Sequence, residues 1–474
     1  MGQINLIESN YKKNNVNKQM GQMVDERNIK TITLNTPMYI VQLYLSLVFV
    51  LFVLGPWPWP VHNKVIIYLY LIFAQVLLFL GFKVSMKRKK SIPRISGGNN
   101  LTKEHLVKVR KIIKISLFIS LTLMIPNYLA RVGSDGFSII NFVSSLADGI
   151  NNPGGQYHNK LNLAQDSIDR PLLLLMTIVT APYTWLLFPL TIIYWKDIKK
   201  RYKFGTIIVV FVDFASWVSI GTNKGVFDIV FILIFSILLK MGLEGRLSSQ
   251  LYQLSKKRVR IFFFSGVLLT TVLTYFTGAI KSRSGLINTY DQAARIHVDF
   301  DSFVMRIVPN FMKEMIIAIS SYTTQGYYGL SLAMGERFSF TYGFGNSWFL
   351  MSLFEKITHR TELPMMTYPF KIEKYGWDPY VNWHSIYTWL ASDFTFVGSL
   401  FVVFIIGYIF GEVWKSCLIQ RNIFGMGLFI LFMIMFMYFP ANNQIFAFVQ
   451  TFSAFWGLFF IWFFTVKIKI TKEK

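Results

Sequence analysis

The stretch "YVNWHSIYTWLASDFTFVGSLFVVFIIGY", residues 380–408, changes character halfway along. Its second half is an uncharged apolar run of the kind that crosses a membrane. Its first half holds His384, Asp393 and several aromatics just before that run begins. A helix needs roughly 20 apolar residues to span the hydrocarbon core, and runs of this kind recur along the chain. They fall at 38–57, 64–84, 112–130, 171–195, 204–220, 226–242, 261–279, 392–413, 423–440 and 444–466. The composition agrees. The 474 residues are 53% hydrophobic and 15% charged, against about 25% charged in soluble domains, and the mean hydropathy is +0.43. The expected fold is all-α, a polytopic transmembrane helical bundle of ten spans.

The net charge of +24 comes from 48 basic against 24 acidic residues. The basic residues sit in short segments between the apolar runs: Lys87 to Arg110, "KDIKKRYK" at 196–203, "KKRVR" at 256–260 and "KIKITKEK" at 467–474. Cytoplasmic loops carry that bias, so a nucleic-acid partner is excluded and both termini are expected in the cytoplasm. Residues 1–34 read as a disordered cytoplasmic tail. Residues 35–279 hold the first seven spans, 280–391 form a large extracytoplasmic loop, 392–466 hold the last three spans, and 467–474 form a second cytoplasmic tail. Within the large loop, 315–334 ("MIIAISSYTTQGYYGLSLAM") is uncharged but rich in Ser, Thr, Gln and Gly. Spanning it would turn every later basic loop outward, so an interfacial or re-entrant helix is expected. Segment 131–170 reads as a medium loop, and "GPWPWPVHNK", "GTNKG" and "ANNQ" as tight turns. The single cysteine, Cys417, reads as part of a short basic loop between Lys415 and Arg421. It allows no intrachain disulfide framework.

Several polar residues at the outer ends of the spans are candidates for chemistry. Lys224 is either an interface anchor or, because cations are disfavoured on that side, an anion ligand. Lys281 and Arg283, in "IKSRSG", are either anchors or a phosphate site in which Arg supplies a forked contact. Arg337 either pairs locally with Glu336 or joins its aromatic neighbours in holding sugar rings. His384 is either a hydrogen-bonded structural residue or a base for an attacking hydroxyl. Asp393, at the start of the eighth span, is a helix N-terminal cap, a base, or a residue that orients His384. The pair Asp299 and Asp301 resembles a metal-binding D-x-D, but the soluble α/β domain such a motif needs is missing. There is no zinc spacing of histidines and no phosphate-binding G-x-x-x-x-G-K-[ST] loop. No metal and no cofactor is expected.

This combination resembles the Wzy-type polysaccharide repeat-unit polymerases of bacteria, the O-antigen and capsule polymerases. The likeness rests on the span number, the cytoplasmic termini and the large late outer loop. Locally it rests on Lys224-Gly225 after span five, Arg283 after span seven, "YTTQGYYGL" at 322–330, and Asp393-Phe394 with Gly398. The chain departs from the family where Lys224 replaces a commoner Arg and Thr395 a commoner Gly. The resemblance implies a glycosyltransferase in the bacterial cytoplasmic membrane. Its donor and acceptor would be undecaprenyl-diphosphate-linked oligosaccharides, with a chain-length regulator and a flippase as companions. It also implies roles: Lys224, Lys281 and Arg283 on the diphosphate, Arg337 on the glycan, His384 as general base and Asp393 as its support. An O-antigen ligase, or a flippase or exporter with no enzymatic activity, are the rival readings. A flippase calls for a charged central cavity, and the main charges within the spans are Asp213 and Asp228.

Overall fold

The computed structural model describes residues 34–87, 102–134, 136–157, 171–245, 274, 277–278 and 289–472. The longer helices in these segments are α1 (Leu34–Leu54), α2 (Lys64–Lys87), α3 (Lys103–Val132), α4 (Ile139–Asn151), α5 (Pro171–Ile193), α6 (Lys200–Ser219), α7 (Lys224–Leu243), α8 (Asn310–Ala333), α9 (Trp348–Thr358), α10 (Ile386–Gln420), α11 (Ile423–Tyr438) and α12 (Val449–Lys472). Among the described residues eight of them, α1–α3, α5–α7, α10 and α12, are long and apolar enough to cross a membrane. The strands described are a two-residue antiparallel pair, Tyr290–Asp291 with Ile296–His297. The protein is thus a multi-pass, all-α helical bundle, as its apolar runs require. The expected span at 261–279 falls almost wholly outside the described residues, as do residues 1–33, Lys281 and Arg283.

Lipid offers no hydrophobic drive to bring two helices together, so close packing of small residues has to supply it. α2 and α10 use that device. A Cβ on Gly81 would meet the Phe404 carbonyl oxygen at 2.0 Å, and one on Gly407 would meet the Leu78 carbonyl oxygen at 2.1 Å. One turn further, Gly411 faces Ser85. Both helices therefore present a small residue every fourth position, and their backbones touch. α11 is apolar on every side and buried along almost its whole length, the pattern of an interior helix. It packs against α5, α7, α10 and α12. Its 16 residues extend only about 24 Å, shorter than the span expected at 423–440.

Three further expectations change. Cys417 and Lys415 do not lie in a loop but in the last turns of α10, both buried. Lys415 donates to the Ser85 carbonyl at 2.7 Å and pairs with Glu412 at 2.6 Å. Helix α10 runs on because these contacts satisfy its one buried cation. Segment 131–170 is not simply a loop, since 139–151 forms α4. Finally, α10 breaks at Thr395, whose φ of 61° and ψ of 169° are non-helical. The continuous part of the helix starts after this residue.

One end of the bundle carries the turns 55–63, 220–223 and 439–448, and α8 packs onto it. The two tryptophans of the first turn reach up to the helix. Trp57 donates to the Ile317 carbonyl at 3.0 Å and Trp59 to the Thr324 hydroxyl at 2.8 Å. Gly326 lets α8 press onto the last turn, where a Cβ would meet the Pro440 carbonyl oxygen at 2.2 Å. The Gln325 side chain accepts from the Trp383 backbone N–H. α8 and segment 334–385 thus form a cap over that end.

Candidate functional site

Helices α3, α5, α6 and α7, with Gln450 of α12, line a cleft of about 160 Å³ at the cap end. Its apolar walls include Leu123, Leu187, Phe188, Val209 and Ile232, and its polar end gathers Arg131, Asp213, Lys224 and Asp228. Each cation comes from a different helix terminus. Arg131 lies in the last turn of α3, which Gly133 ends with a left-handed φ of 74°. Lys224 is the first residue of α7, just after the tight 220–223 turn. Both sit over the Trp217 ring of α6, Arg131 at 3.9 Å and Lys224 at 5.3 Å from its centroid. Gly225 makes this possible, because any side chain there would collide with the indole.

Each cation also has a carboxylate. Arg131 bonds Asp213 at 2.7 Å and the Ser216 hydroxyl. Lys224 bonds Asp228, one turn along, at 2.8 Å. The two pairs differ in their surroundings. The Asp213 side chain is 45% exposed and that of Asp228 only 8%. The Asp228 carboxylate and the Tyr438 hydroxyl are buried beside each other. The formal charges in the cleft cancel, so an anion entering it competes with the carboxylates for the cations. Its volume is below the roughly 300–1,000 Å³ of ordinary small-molecule pockets. The cleft is too small to enclose an oligosaccharide.

The cleft is joined to the cap. Lys224 lies 4.5 Å from the Phe448 ring centroid, at the end of the 439–448 turn. In that turn the Phe446 carbonyl accepts from the Ser347 hydroxyl, and Asn443 donates to the Asn346 carbonyl, both at the end of the cap loop 341–347. Asp393 holds the other side of this loop. One of its oxygens accepts from the Thr341 hydroxyl at 2.5 Å, the Gly343 N–H at 2.9 Å and the Gly345 N–H at 3.2 Å. The other accepts from the Asn346 backbone and side chain at 2.8 and 2.6 Å. A carboxylate that gathers so many donors is an anchor, and the glycines let the chain wrap around it: a Cβ on Gly345 would strike Thr341.

Asp393 is therefore not the N-terminal cap of the span. That role falls to Thr395, whose hydroxyl accepts from the Gly398 N–H at 3.2 Å. Asp393 closes the short helical piece before the kink, because its carboxylate is committed to the loop and not to the helix that follows. Nor does it support His384. Both nitrogens of that ring are buried without any hydrogen-bond partner, and the ring lies edge-on to Trp389, centroids 6.1 Å apart. Burial pushes the imidazole down to about 3, so it is neutral at physiological pH.

The other candidates are dispersed. Arg337 is exposed on the cap, and its carbonyl accepts from Lys371. Its neighbour Glu336 pairs with Lys374 at 2.8 Å and accepts from the Tyr375 hydroxyl. Phe338, Phe340 and Tyr342 are exposed beside it. Asp299 accepts the Asp301 N–H, as in a turn. Among the described residues no group of three or more His, Cys, Asp or Glu side chains is placed to hold a metal ion. The structure brings Lys224 together with Asp213 and Asp228, and adds Arg131, which the sequence reasoning passed over. A signal was available, since Arg131 is a cation at the end of a span, at the same end of the bundle as Lys224. No protein-family model, no curated protein and no solved structure matches the chain.

Proposed function

We propose that this protein is a membrane glycosyltransferase that polymerises oligosaccharide repeat units carried on undecaprenyl diphosphate, at the outer face of a bacterial cytoplasmic membrane. The supporting observation is the convergence of Arg131 and Lys224 on Trp217 in a half-apolar cleft at the capped end of the bundle. A lipid diphosphate has that same division, an apolar tail beside a small, strongly charged group. In the proposed reaction an acceptor hydroxyl attacks the anomeric carbon of the donor. A new glycosidic bond forms, the bond from that carbon to the phosphate oxygen breaks, and the lipid diphosphate leaves. The two cations offset the charge that develops on the leaving group, and Lys281 and Arg283 are assigned to the same task. The glycan is assigned to the cap, where Arg337 and the exposed aromatics lie. His384 receives the hydroxyl proton only once the cap opens, because the enclosed imidazole is too weakly basic.

A second reading, an exporter of the same lipid-linked unit, draws on one observation. Both cations are matched by carboxylates within the span region, and paired charges at that depth are typical of transport pathways. One experiment separates the two. The gene is deleted in its host and the surface polysaccharide is run on a gel. Loss of the ladder with a retained single-repeat band supports polymerisation. An intact ladder overturns it. Loss of every band favours export, or a ligase.

A further inference from the structure

Helix α4 is too short to span a bilayer, yet it is strongly two-faced towards solvent. Ile139, Ile140, Val143 and Ile150 are 74%, 79%, 57% and 59% exposed. At 3.6 residues per turn, these four and Ala147 form one stripe along the helix. Asn141, Ser144, Asp148 and Asn151, also exposed, form a second stripe. The third stripe, with Phe142, Leu146 and Gly149, meets the protein. Phe142 lies 5.2 Å from the Tyr128 ring centroid and 6.4 Å from that of Phe211. A Cβ on Gly149 would strike the Val218 carbonyl oxygen at 2.1 Å. Seven residues separate both Phe142 from Gly149 and Phe211 from Val218, so α4 runs beside the last two turns of α6 in the same direction.

We propose that α4 is embedded in the bilayer at the capped end of the bundle, its isoleucine stripe among acyl chains and its Asn–Ser–Asp stripe in water. The partner is lipid because the isoleucine stripe continues a surface that already faces lipid. Phe204, Ile207, Phe211 and Phe214 of α6 are exposed along a helix that crosses the membrane, and Phe211 touches α4. A contiguous exposed apolar face of this size marks an interaction site, and because α4 runs alongside a helix that crosses the membrane, its stripe meets acyl chains side-on. Tyr128, which α4 covers, also lines the charged cleft. α4 is therefore the lipid-facing flank of that cleft, beside which a membrane-borne ligand would enter. The proposal holds whether the protein polymerises or exports.

The full chain, carrying Cys417→Ala, is reconstituted in phosphatidylcholine–phosphatidylglycerol nanodiscs with single nitroxide labels. The labels replace Ile140, Val143 or Ile150 on one stripe and Ser144, Asp148 or Asn151 on the other. Phe118→Cys on α3 serves as a lipid-facing control and Glu362→Cys on the cap as a water-facing one. Accessibility to oxygen and to a water-soluble nickel chelate is measured by power saturation. The expected oxygen-to-nickel ratio is several-fold higher on the first stripe than on the second, and matches the Phe118 control. Ratios at 140 and 143 equal to the Glu362 control would overturn the proposal, leaving α4 in water. Labels shielded from both reagents would also overturn it, because another protein surface would then cover the stripe. Gel filtration before labelling confirms that each variant is folded. An unpolymerised surface glycan in the deletion strain bears on the enzymatic reading alone.

Discussion

Replacing Asp393 with alanine separates an anchor from a base. The carboxylate accepts five hydrogen bonds from loop 341–346. The Thr341 hydroxyl and the Asn346 amide can turn to other partners, and water reaches the exposed Gly343. The Gly345 and Asn346 backbone N–H groups cannot move away, and Gly345 is buried. Stranding a buried donor costs about 1–3 kcal/mol, so the closed loop loses about 2 kcal/mol with the Gly345 N–H stranded. Two kcal/mol already changes a local opening equilibrium by roughly 30-fold. Hydrogen–deuterium exchange in detergent or nanodiscs reads this directly. The amides of residues 343, 345 and 346 should exchange about 30-fold faster in Asp393→Ala, with α2 and α11 unchanged. Asp393→Asn retains one carbonyl acceptor and should fall between the two. If Asp393→Ala abolishes product while the loop amides stay as protected as before, the carboxylate acts on substrate and the anchor assignment is wrong.

Further expectations concern the kink, the buried histidine, the cleft and the α2–α10 contact. Thr395 holds a backbone conformation that is essentially reserved for glycine and costs about 1–3 kcal/mol. Thr395→Gly, which gives up only a few tenths in capping, should raise the melting temperature; a lower one would refute the strain. The His384 imidazole sits near 3 when folded and 6.5 when unfolded. The unfolded chain therefore takes up the extra proton, and the stability present above pH 6.5 is lost as pH falls towards 3. Denaturation at pH 5 should show a loss of about 2 kcal/mol, absent in His384→Phe. Arg131→Ala should cut product by about 100-fold with little loss of stability, since the partner it frees, Asp213, is half exposed. Lys224→Ala strands the buried Asp228 and should cost about 3–5 kcal/mol, so thermal unfolding of the two variants tells them apart. Gly407→Val has no room against the Leu78 carbonyl and should release monodisperse protein poorly from detergent, whereas Gly398→Ala, facing only side chains, should not.

The apolar runs were enough to establish an all-α bundle and, within a few residues, most of its helices. Each transmembrane helix satisfies its own backbone within one segment, so length and hydropathy speak for it locally. Lys224 was legible for a similar reason, as a charge in a short turn between two apolar runs. The partners of these residues were not legible. Arg131 and Lys224 are 93 positions apart in sequence and meet only because α3, α6 and α7 pack around one indole. Asp393 read as a helix cap because its nearest neighbours in sequence suggested one. Its actual donors lie some 50 residues earlier, in a loop that glycine lets fold back on it. His384 and Asp393 seemed a pair by proximity along the chain, and packing enclosed one in apolar surroundings and gave the other to a loop. α4 was hidden for the opposite reason: thirteen residues are too few for a spanning signal, and its three stripes acquire meaning only once α6 occupies one of them. Hydropathy along the chain decides which segments enter the membrane. Which side chains share a site depends on contacts between distant segments, and those exist only in the packed bundle.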